Sequence, residues 1–497
     1  MRRPKHSLRR AVEVLEDRIV LAVPLALGVG VESFALSPYA QMGGNLYFPG
    51  GAGTLWRTDG TAANTINLSN DPAYSGLRDL VVEGVAVTDG TVYFGAERVS
   101  NVEHRGMDPI PGVPIYDPLP ERWKLDAAAP GGISLASGPS GASMIAGNHR
   151  FIYAAWGDPT ELLVLDSGES DPHPVASFPH APTSYIDFSA ATVAGTDLYF
   201  QVNDFSADHP TQRSAALWMS DGTSVGTKPL TGPGTSHPDL VPTEQVTVGN
   251  QLFFVAIDAA KMGELWVANG SELRRLAVFD ITPSFPREWL GWVAPARYLS
   301  TDGSHALFVA PAVGGDTLWT SDGSPAGTVP LFPARFLPGD LVPQGLWLAS
   351  SAGRLIYFQA TTGTYGSELW KYDGTTAQLV KDIRPGPESA DSSVFDVING
   401  ICYFAANDGI TGRELWATDG TADGTVRLAD LNPGASGSFP ENLVVVNGVI
   451  LFSACIQMDM YGPYDRELWA LAAPDPVEMA PIKTLTTLTL APLRASP

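Results

Sequence analysis

The sequence predicts an all-β protein, a β-propeller built from four-stranded antiparallel blades. Three observations predict it: a repeat with a period near 50 residues, hairpin-type turn residues at the same places in the repeat, and short apolar runs without a helical period. The 51 glycines and 41 prolines among 497 residues fit a chain with many turns. A chain of this length predicts several domains unless it is repetitive, so the repeat decides the architecture.

The repeat is clearest at seven tryptophans, each of which follows a leucine. These are Trp56, Trp218, Trp266, Trp319, Trp370, Trp416 and Trp469. Successive members of the last six lie 46 to 53 residues apart, which is the period of a propeller blade. Two weaker copies, ERWKLD at 121–126 and ELLVLD at 161–166, fill the gap after the first pair. The sequence therefore predicts nine units.

Each unit divides into four strands, called A to D here. In the last unit, strand A is ENLVVV, strand B is VILFSA and strand C is ELWAL. Val, Ile, Leu, Tyr and Phe dominate these runs, and Gly, Asn, Asp and Pro bound them, as is typical of strands. Because strand B is apolar at consecutive positions, we expect neighbouring sheets to cover both faces of each sheet.

The residues between strands support this division. Every unit has Gly, Asn or Asp between strands A and B, as at Asn399-Gly400 and Asn447-Gly448. A two-residue hairpin turn needs positive φ, which these residues tolerate best. The turn between strands C and D carries an aspartate followed by glycine in five units, at Asp59, Asp221, Asp322, Asp373 and Asp419. We interpret these aspartates as turn residues rather than Ca²⁺ ligands.

Burial explains why such units close into a ring. A four-stranded sheet with two apolar faces buries them by stacking, and a closed ring leaves no terminal face exposed. We expect one propeller domain over residues 32–475, followed by a tail or closing strand at 476–497. The ring is predicted to have eight or nine blades, and the unit near Ile133–Leu165 is the one expected outside an eight-bladed ring.

The N-terminal segment differs from the repeats. Residues 1–10 contain five basic side chains, and an apolar run from Ile19 to Val31 follows. This order is typical of a secretory leader, and the run is too short to span a bilayer. The motif LEDRIVLA also resembles an LEDR-type leader of secreted bacterial proteins. We predict that residues 1–31 are an export leader and that the protein is secreted or at the cell surface. The alternative is a disordered basic tail followed by a first strand.

The net charge and the cysteine content limit which partners, cofactors and disulfides are expected. The chain has 53 acidic and 30 basic residues, a net charge of −23, so nucleic acid is not an expected partner. Acidic loops are compatible with Ca²⁺, and no other cofactor is predicted. Cys402 and Cys455 occupy non-equivalent positions, which favours two buried free thiols. We predict a monomer that does not span a membrane.

Two local patterns resemble known families. Residues 399–421 read NGICYFAANDGITGRELWATDGT, and this pattern resembles the bacterial ELWxTDGTxxGT-repeat proteins over about residues 35–475. The resemblance implies an exported propeller and transfers no catalytic residue. Ala406, Asp408, Thr411, Gly412 and Trp416 also resemble the tryptophan-docking motif of quinoprotein dehydrogenases. In that family the motif packs blades together, so this resemblance bears on the fold more than on chemistry.

Linear motifs of catalysis are scarce. From the sequence we expect no HExxH, no CxxC, no P-loop and no GxSxG site, and the eight histidines form no pair at metal-ligand spacing. Asp408 is a weak metal candidate, and an Asp–Thr hydrogen bond within a turn explains it equally well. The sequence therefore predicts no catalytic residue.

Loop length is the remaining functional signal. The B–C connections are long at 97–120, 203–214 and 456–465, and long loops on one face of a rigid scaffold are where binding sites usually lie. Arg105, Tyr116, Tyr461 and Tyr464 are the candidate contacts. We predict a non-enzymatic scaffold that binds a protein or glycan at the bacterial surface. The alternative is a propeller enzyme, a quinoprotein-like oxidoreductase or a lyase, with its site on the B–C face.

Overall fold

The computed structural model is all-β. It describes residues 25–30, 39–50, 53–88, 91–98, 121–126, 133–135, 142–146, 149–153, 160–166, 169, 172–179, 184–206, 213–230, 242–257, 263–279, 296–301, 303–312, 315–331, 342–345, 355–373, 375–459 and 462–472. Short 3₁₀ helices lie at Ala62–Asn64 and Pro72–Leu77. No helix within these ranges is long and apolar enough to cross a membrane.

The described strands form nine antiparallel sheets of four strands each. The first strand, β1 (Leu25–Gly30), belongs to sheet nine. Sheets one to three contain β2 (Ala40–Met42), β3 (Asn45–Gly50), β4 (Thr54–Thr58) and β5 (Ile66–Asn67); β6 (Leu80–Thr88), β7 (Thr91–Arg98), β8 (Glu121–Asp126) and β9 (Ile133–Leu135); and β10 (Ala142–Ala146), β11 (His149–Tyr153), β12 (Thr160–Asp166) and β13 (His173–Phe178).

Sheets four to six follow the same pattern. They contain β14 (Ser184–Ala194), β15 (Asp197–Ser206), β16 (Arg213–Ser220) and β17 (Lys228–Pro229); β18 (Pro242–Val248), β19 (Gln251–Ile257), β20 (Gly263–Asn269) and β21 (Glu272–Phe279); and β22 (Arg297–Thr301), β23 (Ala306–Ala312), β24 (Gly315–Ser321) and β25 (Val329–Pro330).

Sheets seven to nine complete the chain. They contain β26 (Val342–Gly345), β27 (Ile356–Thr362), β28 (Gly366–Tyr372) and β29 (Ala377–Leu379); β30 (Ser393–Ile398), β31 (Ile401–Asn407), β32 (Arg413–Thr418) and β33 (Val426–Arg427); and β34 (Glu441–Val446), β35 (Val449–Asp459) and β36 (Gly462–Ala472), with β1 beside β36. The strands of sheets one to eight connect as meanders, so the A–B and C–D turns share one edge of each sheet and the B–C connection lies at the other.

An aromatic pair explains the repeated tryptophan. In eight sheets the strand C tryptophan is the cross-strand neighbour of a strand B phenylalanine: Phe48–Trp56, Phe94–Trp123, Phe200–Trp218, Phe254–Trp266, Phe308–Trp319, Phe358–Trp370, Phe404–Trp416 and Phe452–Trp469. Sheet three has Ile152 opposite Leu163 instead. The rings of Phe308 and Trp319 stack with centroids 6.1 Å apart and planes 19° apart. The Leu-Trp repeat therefore marks cross-strand packing.

The C–D turn explains the Thr-Asp-Gly-Thr pattern. In sheet eight, Asp419 Oδ1 accepts hydrogen bonds from Thr421 N at 2.8 Å and from Thr421 Oγ1 at 2.7 Å. The hydroxyls of Thr418 and Thr425 bond at 2.7 Å across the turn. A Cβ at Gly424 would lie 2.1 Å from Asp419 Oδ1, so this position has room only for glycine. The same hydroxyl pair closes the turns at Thr58–Thr65, Ser220–Thr227 and Ser321–Thr328.

Successive sheets bury their faces against one another. Separate hydrophobic clusters join sheets one and two, and each pair from sheets three and four to sheets eight and nine. Strands β6 and β10 bring sheets two and three together. Residues between 142 and 178 form a four-stranded sheet like the others. They include most of the unit that was expected to lie outside an eight-bladed ring. The strand A elements of neighbouring sheets lie side by side, so strand A is the inner strand.

The ninth sheet packs against the first. Leu46 and Phe48 of sheet one share a hydrophobic cluster with Val444 and Leu468 of sheet nine. Asn447 Nδ2 donates a hydrogen bond of 2.6 Å to the carbonyl oxygen of Gly44. The order of sheets is therefore circular among the described residues.

The N-terminal strand completes the ninth sheet. Strand β1 pairs antiparallel with β36, with Leu25 opposite Ala470 and Ala26 opposite Trp469. It occupies the outer, strand D position that the other sheets fill from their own repeat. The segment predicted as a leader thus includes a sheet strand. Residues 476–497, predicted as a tail or closing strand, lie outside the described part of the chain.

Two connections predicted as long loops are wrong in part, because the strands continue through them. In sheet nine, Gln457 pairs with Tyr464 and Asp459 pairs with Gly462. In sheet four, the pairing of β15 and β16 extends to Phe205 opposite Arg213. The backbone N–H and C=O groups of the two strands continue to hydrogen-bond to each other beyond the other strands of the sheet. These segments are therefore extended hairpins. Residues 99–120 lie outside the described residues.

Candidate functional site

The predicted contact residues fall largely beyond what the structure describes. Arg105, Tyr116 and Tyr461 lie outside the described residues, and so does the side chain of Tyr464, whose backbone belongs to β36. The B–C binding face therefore stays a prediction. The seven repeat tryptophans are all buried or half-buried, and the structure gives them packing contacts.

Asp408, the weak metal candidate, is a turn residue. Its Oδ1 accepts hydrogen bonds from Ile410 N at 2.9 Å and Thr411 N at 2.7 Å, and Arg427 Nη1 lies 3.5 Å from its Oδ2. Burial alone would raise its pKa, but these hydrogen bonds and the guanidinium hold the pKa below its usual value. Within the described residues, no group of three or more His, Cys, Asp or Glu side chains is placed to hold a metal ion.

The glutamate of the Glu-Leu-Trp repeat is a buried acid. Glu264, Glu368 and Glu414 are each at most 5% exposed, at the start of strand C. Glu264 is neutralised directly, because Arg275 Nη1 donates to its Oε1 at 2.7 Å and Trp266 Nε1 donates to its Oε2 at 3.0 Å. The other two carboxyl groups bind the loop between strand D and the next strand A.

In sheet eight that loop donates to Glu414. Ser438 Oγ donates to Glu414 Oε2 at 2.5 Å, and Leu431 N donates at 3.3 Å. Burial is the main cause that raises the pKa of Glu414 to about 7, and the nearby charge of Asp430 adds to it. Arg427 Nη1 lies 3.9 Å from Asp430 Oδ2, so a guanidinium stands beside this pair of acids.

In sheet seven the equivalent pair is Glu368 and Asp382. Arg384 N donates to Glu368 Oε1 at 3.0 Å, but Glu368 Oε2 and Asp382 Oδ1 are buried without a hydrogen-bond partner. Burial, opposed by backbone hydrogen bonds from the loop and reinforced by the charge of Asp382, raises the pKa of Glu368 to about 8. Sheet eight has the same feature, because Glu414 Oε1 and Asp430 Oδ1 are also buried without a hydrogen-bond partner.

A histidine and an aspartate form a dyad at the opposite edge of the sheets. His149 begins β11, Asp166 ends β12, and the two are cross-strand neighbours at the A–B and C–D edge. His149 Nδ1 donates to Asp166 Oδ1 at 2.5 Å, and the side chains are 26% and 37% exposed. This arrangement orients the imidazole and leaves Nε2 for a second partner, which is the geometry of a general base.

The dyad lies against a turn of the next sheet that sequence inspection overlooked. A Cβ at Gly222 would lie 2.7 Å from His149 Nδ1, so the imidazole rests on this glycine. Residues 222–226 read Gly-Thr-Ser-Val-Gly, which matches the G-x-S-x-G spacing, so the expectation that the chain lacks this spacing is wrong. Here the motif is a C–D turn followed by β17, whereas a nucleophile elbow is followed by a helix.

Ser224 is not required by that turn. It is exposed, and the equivalent positions in sheets six and eight are Pro325 and Ala422. Ser224 therefore occupies a variable position of the repeat. It lies in the same turn as Gly222, which contacts the His149 ring. The sequence does carry a signal for the dyad, because His149 and Asp166 lie within 20 residues of each other at the two ends of a hairpin.

The comparisons give weak likenesses. No family model and no curated protein matches this chain. Among solved structures it is similar to a puromycin hydrolase (13% identity, TM-score 0.36), covering 78% of this chain and 60% of that one. It is similar to an acylaminoacyl peptidase of Pyrococcus horikoshii (10%, TM-score 0.31) with the same coverage, and to an oligogalacturonate lyase in complex with manganese (11%, TM-score 0.34), covering 78% and 86%. The chain thus spans about 60% of the length of the first two enzymes. At these identities the likeness assigns no activity to the chain.

These findings correct the predicted family. Membership of the ELWxTDGTxxGT-repeat proteins is wrong, since no family model matches the chain. The physical reason is the structural role of the repeated residues. Leu-Trp packs on a strand B phenylalanine, and Thr-Asp-Gly-Thr closes a turn, so both follow from local β-structure and identify no family.

The predicted non-enzymatic scaffold is corrected in the same way. The solved structures reported above are enzymes by name, so the prediction of a non-enzymatic scaffold is not kept, and the activity of this chain is a matter for the proposal below. That expectation rested on the absence of linear motifs. A repeat fold brings chemistry together across strands, as with His149 and Asp166, and linear motifs do not register such pairs.

Proposed function

We propose that the protein is a hydrolase of esters or amides, built on a closed nine-bladed β-propeller. The observation that carries the proposal is the 2.5 Å bond between His149 Nδ1 and Asp166 Oδ1, beside the turn that contains exposed Ser224. Nine blades are proposed because nine sheets follow one another in a circular order of contacts. The structure of the site supports acid–base chemistry at the A–B and C–D edge rather than at the B–C face.

The dyad supplies a base of fixed orientation. A carboxylate bound to Nδ1 selects the tautomer that keeps a lone pair on Nε2. That lone pair takes the proton of the attacking hydroxyl, and Asp166 stabilises the imidazolium that forms. We assign Ser224 Oγ as the nucleophile, which bonds to the acyl carbon of the substrate. The leaving alcohol or amine takes the proton from His149, and water then hydrolyses the acyl-serine through the same base.

Export is proposed separately from the catalytic site. The basic residues of 1–10 and the apolar run that follows them support a secreted or surface location. Fractionation of cells that produce the protein tests this proposal, and recovery of the full-length chain only in the cytoplasm would reject it.

Kinetics on a panel of p-nitrophenyl esters and anilides test the hydrolase proposal. His149→Gln is expected to lower kcat/KM about 10²- to 10⁴-fold, because it removes the general base. Asp166→Asn is expected to lower kcat through loss of the correct tautomer. Ser224→Ala is expected to abolish covalent labelling by a fluorophosphonate probe.

A second histidine in the same sheet provides the matched control. His173 Nδ1 lies 3.4 Å from Glu169 Oε2, in a pair that is more exposed than the dyad. His173→Gln is expected to keep wild-type kinetics. The proposal fails if His149→Gln retains the wild-type kcat/KM, or if the folded wild-type chain neither turns over the panel nor takes up the probe.

A further inference from the structure

One exposed asparagine joins the last sheet to the first. Asn447 and Gly448 form the two-residue turn between β34 and β35. Asn447 Nδ2 donates to the carbonyl oxygen of Gly44 at 2.6 Å and to that of Asp59 at 3.2 Å. These two carbonyls belong to the A–B turn and the C–D turn of sheet one, so a single amide holds both turns against sheet nine.

This position suits an amide and disfavours a carboxylate. A Cβ at Gly44 would lie 2.8 Å from Asn447 Oδ1, so the side chain rests directly on a glycine. An amide nitrogen carries two donors, and the two carbonyl oxygens that face it accept them. A carboxylate only accepts hydrogen bonds, so the same carbonyl oxygens would repel it.

The residue that follows makes Asn447 chemically labile. An asparagine before glycine is especially prone to deamidation, because glycine has no side chain to shield its nitrogen. In that reaction Gly448 N bonds to Asn447 Cγ, the bond from Cγ to Nδ2 breaks, and the amide nitrogen leaves as ammonia with the proton of Gly448 N. Water then opens the cyclic imide at either carbonyl, which leaves aspartate or isoaspartate. Water is the only other reactant.

The contact with sheet one opposes this reaction. The φ angle is +50° at Asn447 and +75° at Gly448, as the hairpin turn requires. Gly448 N can reach Asn447 Cγ only if the chain rotates out of this turn. The leaving nitrogen, Nδ2, is also the donor of both hydrogen bonds to sheet one, so these bonds must break first. Separation of sheets nine and one removes this second constraint.

We propose that Asn447 is a modification site, which deamidates when sheets nine and one separate and whose products keep the two sheets apart. The carboxylate of either product offers no donor to the two carbonyl oxygens of sheet one and is repelled by them. Because the loss of ammonia is irreversible, an opening of the ring that leads to deamidation becomes permanent. The site therefore limits the lifetime of the closed fold, and it takes no part in the hydrolase chemistry proposed above.

Two phenylalanine variants test whether opening of the ring controls the reaction. Phe48 lies in the hydrophobic cluster between sheets nine and one, and Phe308 has the equivalent strand B position in the cluster between sheets five and six. Both side chains are fully buried. Phe48→Ala is expected to raise the deamidation rate of Asn447 about tenfold or more, because the cavity favours separation of the two sheets. Phe308→Ala, the matched control, is expected to keep the wild-type rate.

Deamidation is followed on the full-length chain by peptide mapping with mass spectrometry during incubation at neutral pH. Asn399 precedes Gly400 in the same turn of sheet eight, with a φ angle of +52°, and is the reference within each sample. Its rate is expected to be the same in Phe48→Ala and in the wild type. Where an alanine variant does not fold, Phe48→Leu and Phe308→Leu make the same comparison with a smaller cavity.

Substitution tests the effect of the product on the fold. Asn447→Asp places a carboxylate against the two carbonyl oxygens of sheet one. Asn447→Gly removes the amide without adding a charge and keeps a residue that suits positive φ. Asn447→Asp is expected to have the lower Tm of the two variants by a few degrees.

Two results would overturn the proposal. One is an equal rate of Asn447 deamidation in the folded variants of Phe48 and Phe308. The other is an Asn447→Asp chain that is at least as stable as Asn447→Gly. Neither result depends on ester or amide hydrolysis, so this proposal and the hydrolase proposal fail separately.

Discussion

The carboxyl groups of this chain illustrate how position decides chemistry at the scale of the residue. An aspartate in a C–D turn, such as Asp221, sits among donors from Thr223, and these hydrogen bonds hold its pKa below the usual value although burial opposes them. A glutamate two positions before a tryptophan, such as Glu414, is enclosed between sheets, and burial raises its pKa. The same repeat therefore carries acids that ionise easily and acids that resist ionisation.

The buried acid predicts a pH dependence of stability. The pKa of Glu414 is about 7 in the folded chain, against an ordinary value of 4.5. The folded state holds a proton that the unfolded state releases between these values, so this contribution is complete below about pH 4.5 and is lost as pH rises toward 7. We expect urea midpoints of the wild type to fall from pH 5 to pH 7.5, and Glu414→Gln to show a smaller fall.

An exposed glutamate serves as the control for that experiment. Glu272→Gln, in β21, is expected to keep the wild-type slope of stability against pH. Equal slopes for the wild type and Glu414→Gln would contradict the account of this buried carboxyl group.

At the scale of the element, the Phe–Trp pair is the packing unit of each sheet. Trp416 stacks on Phe404 with ring centroids 6.3 Å apart, and its Nε1 donates to the carbonyl oxygen of Ala406 at 3.1 Å. Trp469 has the same phenylalanine partner type, but its buried Nε1 has no hydrogen-bond partner. Two equivalent tryptophans thus differ by one hydrogen bond.

That difference gives a measurable contrast. Trp416→Ala is expected to lower the free energy of unfolding by about 3–5 kcal/mol, because it leaves a cavity between sheets. Trp416→Phe is expected to cost about 1 kcal/mol more than Trp469→Phe, because only the first substitution removes a hydrogen bond. Urea titrations of the three variants check both statements, and equal losses for the two phenylalanine variants would contradict the second.

How far the sequence predicts these elements depends on how local their causes are. The C–D turns follow from donors and acceptors within eight residues, so Asp419 and its hydroxyl neighbours were predictable. The hairpin extension at Gln457 and Tyr464 was not, because its tyrosine and methionine content is equally compatible with a loop. The dyad of His149 and Asp166 escaped notice because cross-strand register, and no motif, brings the two side chains together.

At the scale of the whole molecule, the circular order of sheets depends on contacts between the two ends of the sequence. The period near 50 predicted the repeated sheets, because the turn and strand signals recur in every unit. It did not predict that β1 completes sheet nine, because LALGVG lacks the turn and tryptophan signals of the repeat. An outer strand needs only a backbone in register with β36, and backbone pairing leaves little trace in the sequence.

A cross-strand disulfide measures ring closure most directly. Leu25 and Ala470 are directly opposed on β1 and β36, within the Cα separation that a disulfide requires. The double variant Leu25→Cys/Ala470→Cys is expected to form an intramolecular disulfide, seen as a mobility shift on a non-reducing gel that reductant reverses. The control Leu25→Cys/Ala417→Cys, which uses the equivalent position in sheet eight, is expected to show no such bond. Absence of the link in the first pair, or its equal formation in the second, would contradict closure of the ring through β1.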